Sequence, residues 1–153
     1  MLHICKVQSL NFPKYEFKIT RKEEGTFIFD IIRKKNILLT PEEWVRQHIV
    51  CYLHYDLGYP KGLIKVESGV AYNARMKRSD IVVYLNTGSP YLLIECKAPS
   101  VKISQSTLEQ VAMYNHTLKA EILVLTNGLM HYTFKISREG ELVNLPEIPK
   151  YKS

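Results

Sequence analysis

Asp80, Glu95 and Lys97 are the residues whose types and spacing point most directly to chemistry. Asp80 sits in the β-rich run Arg78-Ser79-Asp80-Ile81-Val82-Val83-Tyr84, and Glu95 and Lys97 lie near the end of Tyr91-Leu92-Leu93-Ile94-Glu95-Cys96-Lys97-Ala98-Pro99. The turn Asn86-Thr87-Gly88-Ser89-Pro90 between them predicts an antiparallel hairpin. Alternation along the second strand places Leu93, Glu95 and Lys97 on one side and Leu92, Ile94 and Cys96 on the other. A carboxylate and an ammonium therefore project together from the end of an apolar strand, with a second carboxylate opening its partner. Charges are seldom buried without a partner or a metal. The group reads either as a structural ion-pair cluster or as a site that grips a cation. Buried ion pairs rarely add net stability, so the first reading needs some further reason for the cluster. Arg75, Lys77 and Arg78, just upstream, are either solvated or placed to meet a phosphate backbone.

Residues 1–39 read as a β-rich extension. Tyr15–Thr20 and Thr26–Ile32 are strand-like runs joined by a turn at 21–25, and Arg33-Lys34-Lys35-Asn36 reads as a basic connection. Thr40-Pro41-Glu42-Glu43 is a helix start, with Thr40 as cap, Pro41 in the first turn and Glu43 completing a capping box. That helix is expected to reach about Leu57, with Val45, Ile49, Val50, Leu53 and Leu57 as its apolar stripe. Glu42 and Arg46 project from the same stripe, Glu43 at its margin, and which glutamate is the functional acid stays open. Next are expected a strand over 63–70, the hairpin, a second helix over 105–118 and a buried strand over 121–126. An Asn127-Gly128 turn and a final strand over 131–136 follow, and the last residues are expected to be loose. Gln110 and Tyr114 stand one turn apart on the flank of the second helix. The organisation is an extension at 1–39, an α/β domain at 40–137 and a tail at 138–153.

The 153 residues suit one domain with a full core, and the net charge of +6 fits a polyanionic partner without requiring one. Cys5, Cys51 and Cys96 form no C-x-x-C pair, which favours buried free thiols over zinc or disulfides. His48, His54, His116 and His131 show no ligand spacing with an acidic partner. No leader pattern opens the chain and no apolar run spans a bilayer, so the expectation is cytoplasmic, with no membrane contact. No G-x-x-x-x-G-K-[ST] occurs, which excludes ATP-driven translocation by this chain.

The order of elements, with Asp at the start of one strand and Glu-x-Lys at the end of the next, resembles the PD-(D/E)xK nuclease superfamily. The nearer resemblance is to the N-terminal nuclease domain of type I restriction enzyme R subunits and its stand-alone relatives. It rests on Thr-Pro-Glu-Glu-Trp-Val-Arg-Gln at 40–47, Gly-Tyr-Pro at 58–60, the two hairpin runs, Gln110 with Tyr114-Asn115, and Thr126-Asn127-Gly128. Together these blocks cover roughly residues 40–132 in order, where a lone Glu-x-Lys would mean little. Ser79 stands where the family has a proline before the first Asp, and residues 1–39 fall outside the likeness.

The resemblance implies an α/β fold with a restriction-endonuclease-like αβββαβ core, a central mixed sheet flanked by helices. It implies a divalent-metal-dependent DNA endonuclease using Mg²⁺, with Mn²⁺ as a substitute. Asp80, Glu95 and the backbone carbonyl of Cys96 would be the metal ligands, an oxygen set that magnesium favours. Lys97 would orient water and stabilise the transition state, Gln110 would position water or phosphate with support from Tyr114, and Glu42 would assist the metal. The implied partners are DNA, restriction-system subunits and a second copy of the chain. Two other classes stay open: a nucleic-acid-binding module without turnover, and a protein-interaction domain of a restriction or defence system.

Overall fold

The computed structural model describes residues 8–66 and 80–153. The latter part of the predicted strand at 63–70, the cations Arg75, Lys77 and Arg78, and Cys5 lie outside them.

Among the described residues the architecture is α/β: a mixed six-stranded sheet, two α-helices and a separate three-stranded antiparallel sheet. The small sheet comprises β1 (Ile19–Lys22), β2 (Gly25–Asp30) and β3 (Lys35–Leu38). β3 corrects the sequence reading, which took Arg33-Lys34-Lys35-Asn36 for a basic connection. Asp30 pairs with Lys35, and its carboxylate accepts the Ile32 and Arg33 amides at 2.8 and 2.7 Å. That side-chain turn shortens the link to four residues, and the second half of the basic run enters a strand.

Helix α1 (Pro41–Cys51) begins as expected, with the Thr40 hydroxyl accepting the Glu43 amide at 3.0 Å. The capping box is not completed as drawn from sequence, because the Glu43 carboxylate turns inward to Arg33, Arg46 and Gln47. Beyond Cys51 the helix continues as a π-turn segment, Tyr52–Asp56, closed by Gly58 at φ +83°. Val45, Ile49, Val50, Leu53 and Leu57 are all buried. A short 3₁₀ turn (Lys61–Leu63) leads to β4 (Ile64–Val66).

The large sheet runs β4, β5 (Ile81–Tyr84), β6 (Pro90–Cys96), β7 (Ile122–Thr126), β8 (His131–Ile136) and β9 (Leu142–Leu145), in that spatial order. Neighbours are antiparallel except β6 and β7, which are parallel and joined through α2 (Gln105–Leu118). A parallel pair needs such a crossover. Leu92, Ile94 and Cys96 pack into the core that holds the α1 stripe. Val82, Leu93, Val111 and Leu123 make a second cluster beneath α2. The faces of β6 therefore divide as alternation predicts. The C-terminal residues are not loose: β9 extends the sheet, Ile148 is buried, the Tyr59 hydroxyl donates to the Pro149 carbonyl at 2.7 Å and the Tyr151 amide to Leu57 at 2.9 Å.

Candidate active site

Glu95 and Cys96 stand at the C-terminal end of β6, and the Lys97 amide donates to the Thr126 carbonyl at 2.9 Å, carrying the parallel pairing one step further. Lys97 Nζ lies 3.4 Å from Glu95 Oε2, on the side of the sheet that α2 covers. Asp80 directly precedes β5, whose Ile81 is paired with Ile94. Its Oδ2 accepts the Cys96 amide at 2.7 Å and its Oδ1 accepts Arg46 Nη2 at 2.8 Å. The bond to the Cys96 amide brings Asp80 to the residue flanked by Glu95 and Lys97. This end of β5 and β6 forms a rim that carries all three sequence-selected residues.

Arg46 joins this rim to α1. Its Nη2 also reaches Glu42 Oε2 at 2.7 Å, and Nη1 reaches Glu43 Oε1. Glu43 in turn accepts Arg33 Nη2 at 2.7 Å and Gln47 Nε2 at 2.8 Å. Asp30, fully buried, takes Arg33 Nε at 2.7 Å and Gln47 Nε2 at 2.9 Å. The result is a continuous chain of charge-assisted bonds, Asp30–Arg33–Glu43–Arg46–Asp80, running from the small sheet to the rim. Glu42 is its solvent-facing member, its side chain 45% exposed against 7% for Glu43.

Burial would push the Asp30 carboxyl up, but the Arg33 amide, Gln47 and the Arg33 guanidinium together hold it below the ordinary range. Burial likewise opposes charge on Arg46, yet Asp80 and then Glu43 overcome it and keep the guanidinium ionised. The Cys96 thiol is driven far up, first by burial and then by Asp80, against Arg46, with Glu95 and Glu42 adding to it. Cys51, also a buried free thiol, is raised to about 12, chiefly by burial. Neither thiol is a nucleophile at neutral pH.

Gln110 lies exposed on α2, the helix covering the Glu95 side. Tyr114, one turn on, is half-buried and packs against the cluster of Val82, Leu93 and Val111. His131 holds the Thr126 hydroxyl at 2.7 Å and the Asn11 carbonyl at 2.8 Å, and His48 is buried among aromatic rings, so both are packing residues. Sequence reasoning missed Asp30, Arg33 and Gln47 and left Arg46 without a role. The available signal was a charged or amide group at the end of a strand run or inside an apolar stripe.

Among the described residues, no group of three or more His, Cys, Asp or Glu side chains is arranged to hold a metal. The rim offers two carboxylates and a backbone carbonyl, all oxygen donors, which suits a hard cation that keeps most of its waters. Charge points the same way. Within the network and rim, the carboxylates Asp30, Glu42, Glu43, Asp80 and Glu95 outnumber the cations Arg33, Arg46 and Lys97, five against three among the described residues.

No curated protein matches the sequence. The family model for the type I restriction enzyme R protein N terminus matches residues 41–149, from the first residue of α1 to beyond β9. The match takes in every rim residue and leaves out the small sheet. The chain belongs to the family of type I restriction enzyme R protein N termini.

Proposed function

We propose that the chain is the divalent-metal-dependent DNA endonuclease domain of a restriction system, with a restriction-endonuclease-like core, hydrolysing phosphodiester bonds at the β5–β6 rim. The observation that carries this reading is the convergence on Cys96: Asp80 bonded to its amide at 2.7 Å, with Glu95 and Lys97 on either side and 3.4 Å apart. Family membership supplies the restriction context, and DNA and restriction-system subunits follow as partners. Asp80, Glu95 and the Cys96 carbonyl would hold Mg²⁺ or Mn²⁺, which when bound lowers the pKa of water and offsets charge on the phosphate.

The side chains have distinct tasks. Lys97 is 27% exposed, so its ammonium can face both Glu95 and an incoming phosphate oxygen, and it stabilises charge that grows in the transition state. Arg46 fixes Asp80 from below and lowers the local negative charge. Glu42, on the same guanidinium but open to solvent, is the acid of α1 available to assist. Glu43 is committed to the buried network. Gln110 would reach substrate from the α2 side.

Purified protein with Mg²⁺ is expected to nick supercoiled plasmid, and Lys97→Ala to abolish nicking while the thermal melt stays close to wild type. Equal cleavage by the two proteins would remove Lys97 from the mechanism. Salt-sensitive DNA retention without cleavage in any divalent ion would leave only the binding-module reading.

A further inference from the structure

The small three-stranded sheet has one face spent and one face open. Ile28, fully buried in the centre of β2, packs with Leu39 and Trp44. Phe27 and Phe29, its neighbours on either side, point the other way by strand alternation. Both rings are half-buried and neither belongs to the hydrophobic clusters found among the described residues. Cross-strand register builds two rows on this face. One is Thr20, Phe27 and Leu38, and the other is Lys18, Phe29 and Asn36. Lys18 and Lys22 are exposed and sit over the rings, their Nζ atoms 5.9 Å from the Phe29 centroid and 5.4 Å from the Phe27 centroid. Leu38 is 49% exposed.

Charge on this segment is lopsided. Residues 14–38 carry seven Lys and Arg against four Asp and Glu, a net of +3 and half of the charge of the whole chain. One of those four, Asp30, is buried and paired with Arg33. Lone lysines on a strand serve to discourage edge pairing, and that would account for Lys18 and Lys22 but not for two outward aromatic rings between them. Two rings at i and i+2 on the central strand stand roughly 7 Å apart, enough for one flat base on each.

We propose that this face is a stacking platform for an unpaired stretch of polynucleotide. Bases lie on Phe27 and Phe29, and backbone phosphates take Lys18 and Lys22 off the rings. A duplex hides its base faces and cannot use the platform, whereas any unpaired base can, so recognition is tolerant of sequence. The platform lies outside residues 41–149, and the inference does not depend on the rim being catalytic.

The test is fluorescence anisotropy on the full chain in EDTA, with labelled oligothymidylate, oligouridylate and a duplex, each of about 20 nucleotides per strand, long enough for a typical single-strand site. Oligothymidylate or oligouridylate binds more tightly than the duplex, and failure of both to bind overturns the proposal. Phe27→Leu with Phe29→Leu, which keeps apolar bulk, weakens that binding by about tenfold or more while leaving any duplex affinity unchanged. Lys18→Gln with Lys22→Gln weakens it too, and lowers the salt slope by about 1. Single-strand affinity that is unmoved by the phenylalanine pair overturns the proposal. With no divalent ion in the assay, a failure to cleave plasmid and a failure to bind single strands are separate results.

Discussion

Without its Arg46 side chain the protein would hold Glu43 and Asp80 beside one another with their shared guanidinium gone, in a place that water barely reaches. Removing one partner of a buried ion pair costs about 3–5 kcal/mol, far more than the pair contributes against an apolar substitute. Arg46→Met, which keeps the stem, is therefore expected to lower the unfolding free energy by that amount, read as a lower urea midpoint at an unchanged m-value. Asp80→Asn retains an acceptor for the Cys96 amide and is expected to cost less stability while removing cleavage. The same scale governs acid sensitivity. His48 is held below its ordinary value of 6.5 by burial, against a bond to the Trp44 carbonyl. Burial likewise lowers His131. Both take up a proton less readily in the folded protein than in the unfolded chain, so stability falls as pH drops below about 6.5. Asp30 acts lower on the scale, its folded pKa lying below the ordinary 3.8. Its contribution is present above that value and is lost as pH falls through the depressed one. Chemical denaturation between pH 7.5 and 5 should show the histidine phase, and His48→Phe should flatten it.

At the scale of elements, the clearest signals were those in which side-chain pattern and end chemistry agreed. α2 runs from Gln105 to Leu118 as read, because Ser104 caps the Thr107 amide and its apolar stripe has the right period. The hairpin of β5 and β6 was legible for the same reason. β3 was not, since it opens on the polar Lys35 and Asn36, which enter the strand once Asp30 closes the turn before them. β9 was missed because its burial is shallow at an edge of the sheet, and the helix end was blurred by the π-turn. The rim itself was legible through Asp80, Glu95 and Lys97. The network behind it was not, because sequence spacing says nothing of a bond from residue 46 to residue 80. The fastened C-terminus carries a prediction of its own. Deleting residues 146–153 removes buried Ile148 and the Tyr59–Pro149 bond, and a loss of about 2 kcal/mol or more is expected from urea titration.

For the molecule as a whole, a bridge of two guanidiniums ties the two sheets together: β2 gives Asp30, the turn after it Arg33, α1 gives Glu43 and Arg46, and the rim gives Asp80. The extension that the family model does not cover is thus bonded to residues it does cover. Truncating residues 1–39 would strip Arg33 from Glu43 and Asp30 from Gln47 as well as the packing on Trp44, so the remaining domain is expected to melt earlier even with every rim residue intact.

The parallel joining of β6 to β7 has a consequence in time. Hairpin neighbours find each other over a few residues, but these two strands can zip only after the long excursion through α2 has been closed. Pulse-labelled hydrogen exchange during refolding should therefore show the β1–β2 and β7–β8 amides sheltered before the Leu92–Cys96 ladder to β7. A nascent chain would then complete its hairpins before it acquires the edge where Glu95 and Lys97 meet.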